Sequence, residues 1–139
     1  MTGEGGWADG GTIVRRRGRV AIRTREAPAV FLADPSGAVG PGLLGEVLDR
    51  AEAFGAAHPG GWCYVADIRG AVLPDPRNGR GLRRIRRLPH VRAYLVVAPA
   101  LARPALRLAR RLGPLSRHGP QGAHATVADA VADASRRLA

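Results

Sequence analysis

Asp67-Ile68-Arg69-Gly70-Ala71-Val72-Leu73-Pro74-Asp75-Pro76-Arg77-Asn78-Gly79-Arg80-Gly81-Leu82 is the stretch on which the reading of this chain turns. It follows the apolar run Trp62-Cys63-Tyr64-Val65-Ala66 and leads into a segment whose apolar positions Leu82, Ile85 and Leu88 recur at helical spacing. That is a strand, a loop at its carboxyl end, and a helix opening from the loop. In open α/β sheets, ligand and partner sites gather at that edge. The loop holds two carboxylates, Asp67 and Asp75, but no Ser, Thr, Cys, Lys or His. It is equipped to bind or be bound, and poorly equipped for catalysis.

Outward from the loop, strand and helix alternate. On the amino-terminal side, Thr12-Ile13-Val14 starts a first strand and Val20-Ala21-Ile22 a second, ending at the turn Glu26-Ala27-Pro28. Ala29 to Ala33 reads as a buried strand paired back as a hairpin, closed by the turn chemistry of Asp34-Pro35-Ser36-Gly37. A helix begins near Pro41, with Leu43, Leu44, Val47, Leu48, Ala51 and Phe54 on one face. Trp62 to Ala66 is nearly continuous in apolar residues, as expected of a strand covered on both faces.

On the carboxyl-terminal side, a second helix runs from about Gly79 to Leu88 and Val91 to Ala98 forms a second central strand. A third helix covers about Ala100 to Leu112, with Pro104 in its first turn, and Leu115 to His118 is read as a short edge strand. Thr126 opens a last helix as a capping-box variant, with Val127, Ala130, Val131, Ala134 and Leu138 facing inward. The expectation is a single α/β domain over 12–139, a mixed β-sheet with about four helices, behind a flexible tail at 1–11.

Composition narrows the classes. The chain has 139 residues, enough for one domain with its own core, and its apolar share of 45% includes only 4% aromatics. No apolar run approaches the ~18–20 residues that span a bilayer, and the Gly-rich start carries Glu4 and Asp9 rather than a basic, apolar leader. Cys63 is the single cysteine, read as a small buried hydrophobe in a reducing compartment, so a cytoplasmic location is expected. All 22 basic residues are arginine, a bias that fits a GC-rich coding sequence. Their placement says more. Residues 76–128 hold 12 arginines and no acid, while the rest holds 10 arginines against 11 acids, so one segment carries the whole excess of +11. A field that local steers anionic partners.

Candidate sites outside the loop are sparse. His58, His90, His118 and His124 lack metal-ligand spacing, and Ser36, Ser116 and Ser135 lie outside any G-x-S-x-G. Gly40 to Gly42 and Gly79 to Gly81 lack the fixed Gly and Lys spacings of a phosphate loop. No catalytic residue, metal or cofactor is expected. Within the loop, Asp67 has a structural reading, capping the next turn or pairing with Arg69 or Arg77, beside a partner-binding one. Asp75 is placed to cap the second helix. The arginines of the second and third helices read either as a solvated face or as an anion-binding one, with no aromatic residue among them to stack on bases.

Asp67, Gly70 and Asp75, with apolar Val72 and Leu73 between, resemble the strand–loop–helix of STAS domains, the fold of bacterial anti-sigma-factor antagonists. In that family an Asp ends the strand and a second Asp precedes a Ser that a partner kinase phosphorylates. Here Pro76, Arg77 and Asn78 follow Asp75, so the phosphoacceptor is missing. The order of elements from about Val20 onward is similar too. The resemblance implies a STAS-like fold and a non-catalytic regulatory protein–protein interaction module. It would act through Asp67, Asp75, Pro76, Arg77, Asn78 and Arg80 on an anti-sigma kinase-like partner, with a homodimer also open to it. A rival reading binds nucleic acid or another polyanion through Arg83, Arg84, Arg87, Arg107, Arg110 and Arg111. In a third, suggested by relatives of the fold akin to lipid-transfer domains, the domain encloses a small apolar ligand.

Overall fold

Ala29–Gly37 (β3), Trp62–Asp67 (β4) and Val91–Val97 (β5) lie side by side and parallel at the centre of a mixed sheet. The computed structural model describes residues 4–71, 75–106 and 119–139. Among them, Ala8–Val14 (β1) and Gly18–Glu26 (β2) extend the sheet antiparallel on one side, and Gly122–His124 (β6) extends it parallel on the other, in the order β1-β2-β3-β4-β5-β6. Pro41–Ala56 (α1) connects β3 to β4, Gly79–Ile85 (α2) connects β4 to β5, and Val127–Leu138 (α3) follows β6. Residues 103–106 are α-helical as well, giving four α-helical segments among the described residues.

Right-handed crossovers in one direction along the sheet put α1 and α2 on the same face. Leu43, Val47, Leu48 and Ile85 pack there on Ile22, Phe31, Tyr64 and Val96. The opposite face is covered by α3, whose Ala130 and Ala134 meet Val30, Cys63, Val65 and Leu95. All six residues of β4 are buried, because both its faces are covered. Each large apolar side chain so buried contributes roughly 1.5–3 kcal/mol, and among them Phe31 packs its ring against those of Trp62 and Tyr64. Cys63 sits in this interior, fully buried, and burial pushes its thiol up to about 11. Among the described residues no helix is long and apolar enough to cross a membrane.

Several boundaries differ from the sequence reading. Residues 8–11, expected in a flexible tail, belong to β1: Ala8 pairs with Thr24 and Asp9 with Arg23, and the Trp7 ring lies under the guanidiniums of Arg23 and Arg25. β3 does not stop at Ala33 but runs through Asp34-Pro35-Ser36-Gly37, paired with β2 from Gly37↔Gly18 to Ala29↔Glu26. Pro35 is tolerated because the pairing with β4 ends at Ala33↔Ala66, which leaves no ladder on that side to demand its missing N–H. Gly37 ends the strand at φ 75°, where a Cβ would lie 2.5 Å from the Arg17 carbonyl oxygen. α2 closes at Ile85, three residues before Leu88. β6 forms at Gly122–His124, a segment without strand-favouring residues. The expected edge strand at Leu115 to His118 and the helix beyond residue 106 lie outside the described residues.

Candidate functional site

The carboxyl ends of β3, β4 and β5 point into the region where α1 and α2 begin. Ala33 and Ala66 face inward where β3 and β4 stop pairing, and their small side chains leave space that larger residues would fill. The result is a cavity of about 400 Å³ between the sheet and the two helices. Tyr64 and Tyr94 form its floor, Leu44, Val47 and Ile85 its helical walls, and Pro35, Ile68, Ala71, Pro99 and Ala102 its rim. Burial pushes the phenol of Tyr94 up to about 12 and that of Tyr64 higher still, so both stay neutral. The cavity is apolar apart from Asp75, Asn78 and the two tyrosines.

The loop singled out in the sequence borders this cavity, and its residues divide sharply by role. Asp67 is only 5% exposed and ends β4. Its Oδ1 accepts from the Arg69 N–H at 3.2 Å and Nε at 2.9 Å, and its Oδ2 from Nη2 at 2.7 Å. Burial would raise its pKa, but these bonds outweigh it and hold the carboxyl below the usual range. Both structural roles open to Asp67 are therefore realised together, with Arg69 as the partner rather than Arg77. Nearby Asp34 goes the other way: burial and then the Asp67 charge raise it.

Asp75 caps the short 3₁₀ turn Pro76–Asn78 that leads into α2, accepting from the Arg77 N–H at 2.9 Å. The Arg77 side chain grips the same carboxylate, with Nη2 at 2.7 Å from Oδ2, and those bonds lower its pKa. Asn78 is turned inward and buried. Its Nδ2 donates to the Val39 carbonyl oxygen at 2.8 Å, while its Oδ1 has no hydrogen-bond partner. Pro76, Arg77 and Arg80 are exposed. Of the six residues expected to meet a partner, Asp67 and Asn78 are thus interior and engaged in holding the loop.

A second concavity, of about 690 Å³, lies between α1 and α2. Arg77, Arg80, Arg83, Arg84 and Arg87 line it, and it shares Leu44 and Asn78 with the apolar cavity. Arg84 is engaged, bonding Asp49 at 2.9 Å with Glu52 at 3.6 Å, and Arg77 is held by Asp75. The structure brings together Arg83, Arg84 and Arg87 of the expected anion-binding set. Arg107, Arg110 and Arg111 lie outside the described residues. The third reading of the sequence allowed for an enclosed apolar ligand but assigned no residues to its cavity. Leu82, read with Ile85 and Leu88 as one apolar stripe, is 38% exposed and lines the cavity. The available signal was the run of small residues Ala33, Ala66 and Ala102, which gain meaning only once the topology places them together. No family model, no curated protein and no solved structure matches this chain.

Proposed function

We propose that this domain is a non-catalytic binding module that takes a small apolar ligand into the cavity between β3–β5, α1 and α2. The observation that carries this reading is the cavity itself. Its volume of about 400 Å³ falls within the ~300–1,000 Å³ of small-molecule sites, and its apolar lining with few polar groups has their usual make-up. It lies at the carboxyl edge of the parallel strands, where such sites collect in α/β sheets. The lining favours binding over chemistry: Asp75 is neutralised by Arg77, and the two tyrosines hold their protons far above neutral pH.

Binding of n-alkanols of increasing length, followed by calorimetry, tests the reading. Each methylene buried contributes ~0.8 kcal/mol, a gain of about fourfold in affinity. At ~30 Å³ per water-sized group, the gain should stop at about a dozen non-hydrogen atoms, when the space is full. The heat-capacity change should be negative. Ala102→Trp, at the rim, should abolish binding without touching the core. Affinity that ignores chain length, or no binding at all, would remove the proposal.

A second reading keeps the loop as a contact for a regulatory protein. It is favoured by the exposure of Pro76, Arg77 and Arg80 beside the cavity mouth. Under it, Arg77→Ala and Arg80→Ala should weaken capture of the partner while alkanol binding persists.

A further inference from the structure

We infer that the ligand is a single-chain amphiphile whose anionic head, a phosphate or carboxylate, rests among Arg80, Arg83 and Arg87 while its chain enters the apolar cavity. This rests on the apolar-ligand reading above and names the chemical class of the ligand. Two observations converge. The arginine-lined groove and the apolar cavity are adjacent and share Leu44 and Asn78 as common wall. The apolar space and the cationic one lie on either side of that wall, so a chain held in the first needs only the Leu44 side chain to swing aside for its head to meet the arginines.

The arginines of the groove also differ in how they are occupied. Arg77 and Arg84 are paired with Asp75 and with Asp49 and Glu52. Arg80, Arg83 and Arg87 have no acidic partner among the described residues, yet all three line the same groove. Their spacing puts them on one side of α2 and the turn that follows it. Guanidinium forks are the side chains best shaped to hold phosphate or carboxylate oxygens. A merely solvated face accounts for arginines turned away from concave surface. It does not account for three unpaired ones gathered beside an apolar opening.

The shared wall carries a polar mark of its own. Asn78 is 8% exposed, and its Oδ1 is buried without a partner. Because Nδ2 is committed to the Val39 carbonyl oxygen, the open atom is an acceptor. A buried acceptor left open is costly, but with no surface of its own it is closed to a ligand and takes no part in holding one.

The test compares dodecanol, dodecyl phosphate, laurate and inorganic phosphate by calorimetry on the full chain. Dodecyl phosphate or laurate should bind at least about tenfold tighter than dodecanol at low salt, with the advantage shrinking as ionic strength rises. In the variant carrying Arg80→Ala, Arg83→Ala and Arg87→Ala, all exposed positions, the advantage should fall below about threefold. Inorganic phosphate alone should bind far more weakly than dodecyl phosphate. Dodecanol binding as tightly as both charged probes would overturn the head-group assignment and leave the apolar-ligand reading standing. Failure of every chain-bearing probe would remove both. Inorganic phosphate matching dodecyl phosphate would mean a free-anion site without a chain. Retention of phosphatidylglycerol vesicles by Ala102→Trp, undiminished from wild type, would mean a membrane-surface contact, and would equally overturn it.

Discussion

The side-chain amide of Asn78 donates to the carbonyl oxygen of Val39 at 2.8 Å, joining the loop after β4 to the segment that enters α1. These two chain segments are 39 positions apart, and the contact closes one end of the cavity. Asn78→Ala should cost about 1 kcal/mol, the net worth of one such bond, with a further cost if the Val39 carbonyl is left dry. Urea unfolding would measure it. A variant as stable as wild type would mean that the bond is replaced by water at no loss.

Gly55 sits in α1 where the helix presses on the base of the sheet. A Cβ there would lie 2.6 Å from the Pro89 carbonyl oxygen and 2.7 Å from Trp62 Nε1. Those two atoms are themselves bonded, Trp62 Nε1 donating to Pro89 at 2.6 Å. Helix propensity favours Ala over Gly by ~1 kcal/mol, but neither neighbour can withdraw without losing that bond. Gly55→Ala should therefore destabilise by about 1–3 kcal/mol, the usual cost of overpacking. Tryptophan fluorescence during urea unfolding reads both the stability and the Trp62 environment. A stabilised Gly55→Ala protein would show that α1 can shift.

The alternation of strand and helix was legible because the parallel strands are apolar on both faces and the helices carry clean stripes. Trp62–Asp67 and Val91–Val97 pair as expected, and Thr126 caps the last helix by accepting from the Asp129 N–H. What escaped was decided by pairing rather than by residue type. Gly122–His124 is a strand because β5 offers it a parallel edge, with Leu95↔Gly122 in register, and not because Gly, Ala and His favour one. Asp34 to Gly37 carry turn chemistry yet stay in β3, held by the full length of β2. In the site, Asp75, expected to cap α2, caps the 3₁₀ turn Pro76–Asn78 before it, while the cap at Asp67 could be read from the loop. The cavity could not, because Ala33, Ala66 and Ala102 enclose space only when the sheet sets them beside Tyr64 and Tyr94.

His58 should make stability fall as pH rises through the neutral range. Its Nε2 lies 2.5 Å from Glu26 and its Nδ1 2.7 Å from the Phe54 carbonyl oxygen, with the Phe54 ring stacked at 4.0 Å. Burial would lower the imidazole pKa, but the Glu26 carboxylate and the Phe54 carbonyl raise it above the ordinary 6.5. A raised pKa contributes stability that is fully present below the ordinary value and lost as pH climbs through the raised one. Glu26 is largely exposed, so the contribution should be only ~0.2–1 kcal/mol. Unfolding of wild type and Glu26→Gln at pH 5.5 and pH 9 would measure it: the two should differ at the lower pH and converge at the higher. Parallel profiles would count against the pair.

Asp133 gives the opposite slope. It is 7% exposed on α3, and its carboxylate accepts from His124 Nε2 at 2.9 Å, Arg137 Nε at 3.0 Å and Arg136 Nη2 at 3.3 Å. Through His124 it fastens the last strand to the helix that covers it. Burial would raise its pKa, but the bonds from His124 and Arg137 outweigh burial and hold it below the ordinary 3.8. A depressed carboxyl contributes stability present above the ordinary value and lost as pH falls through the depressed one. Wild type should therefore weaken as pH drops below about 4, and Asp133→Asn should show a shallower acid limb. Asp133→Ala should cost about 3 kcal/mol at neutral pH, because it leaves Arg137 without its counter-charge and His124 Nε2 without its hydrogen-bond partner at a partly buried site. Hydrogen exchange localises the damage: the amides of Gly122–His124 should lose protection before those of β4. Uniform loss across the sheet, or an acid limb unchanged in Asp133→Asn, would mean that β6 is held by its pairing with β5 alone.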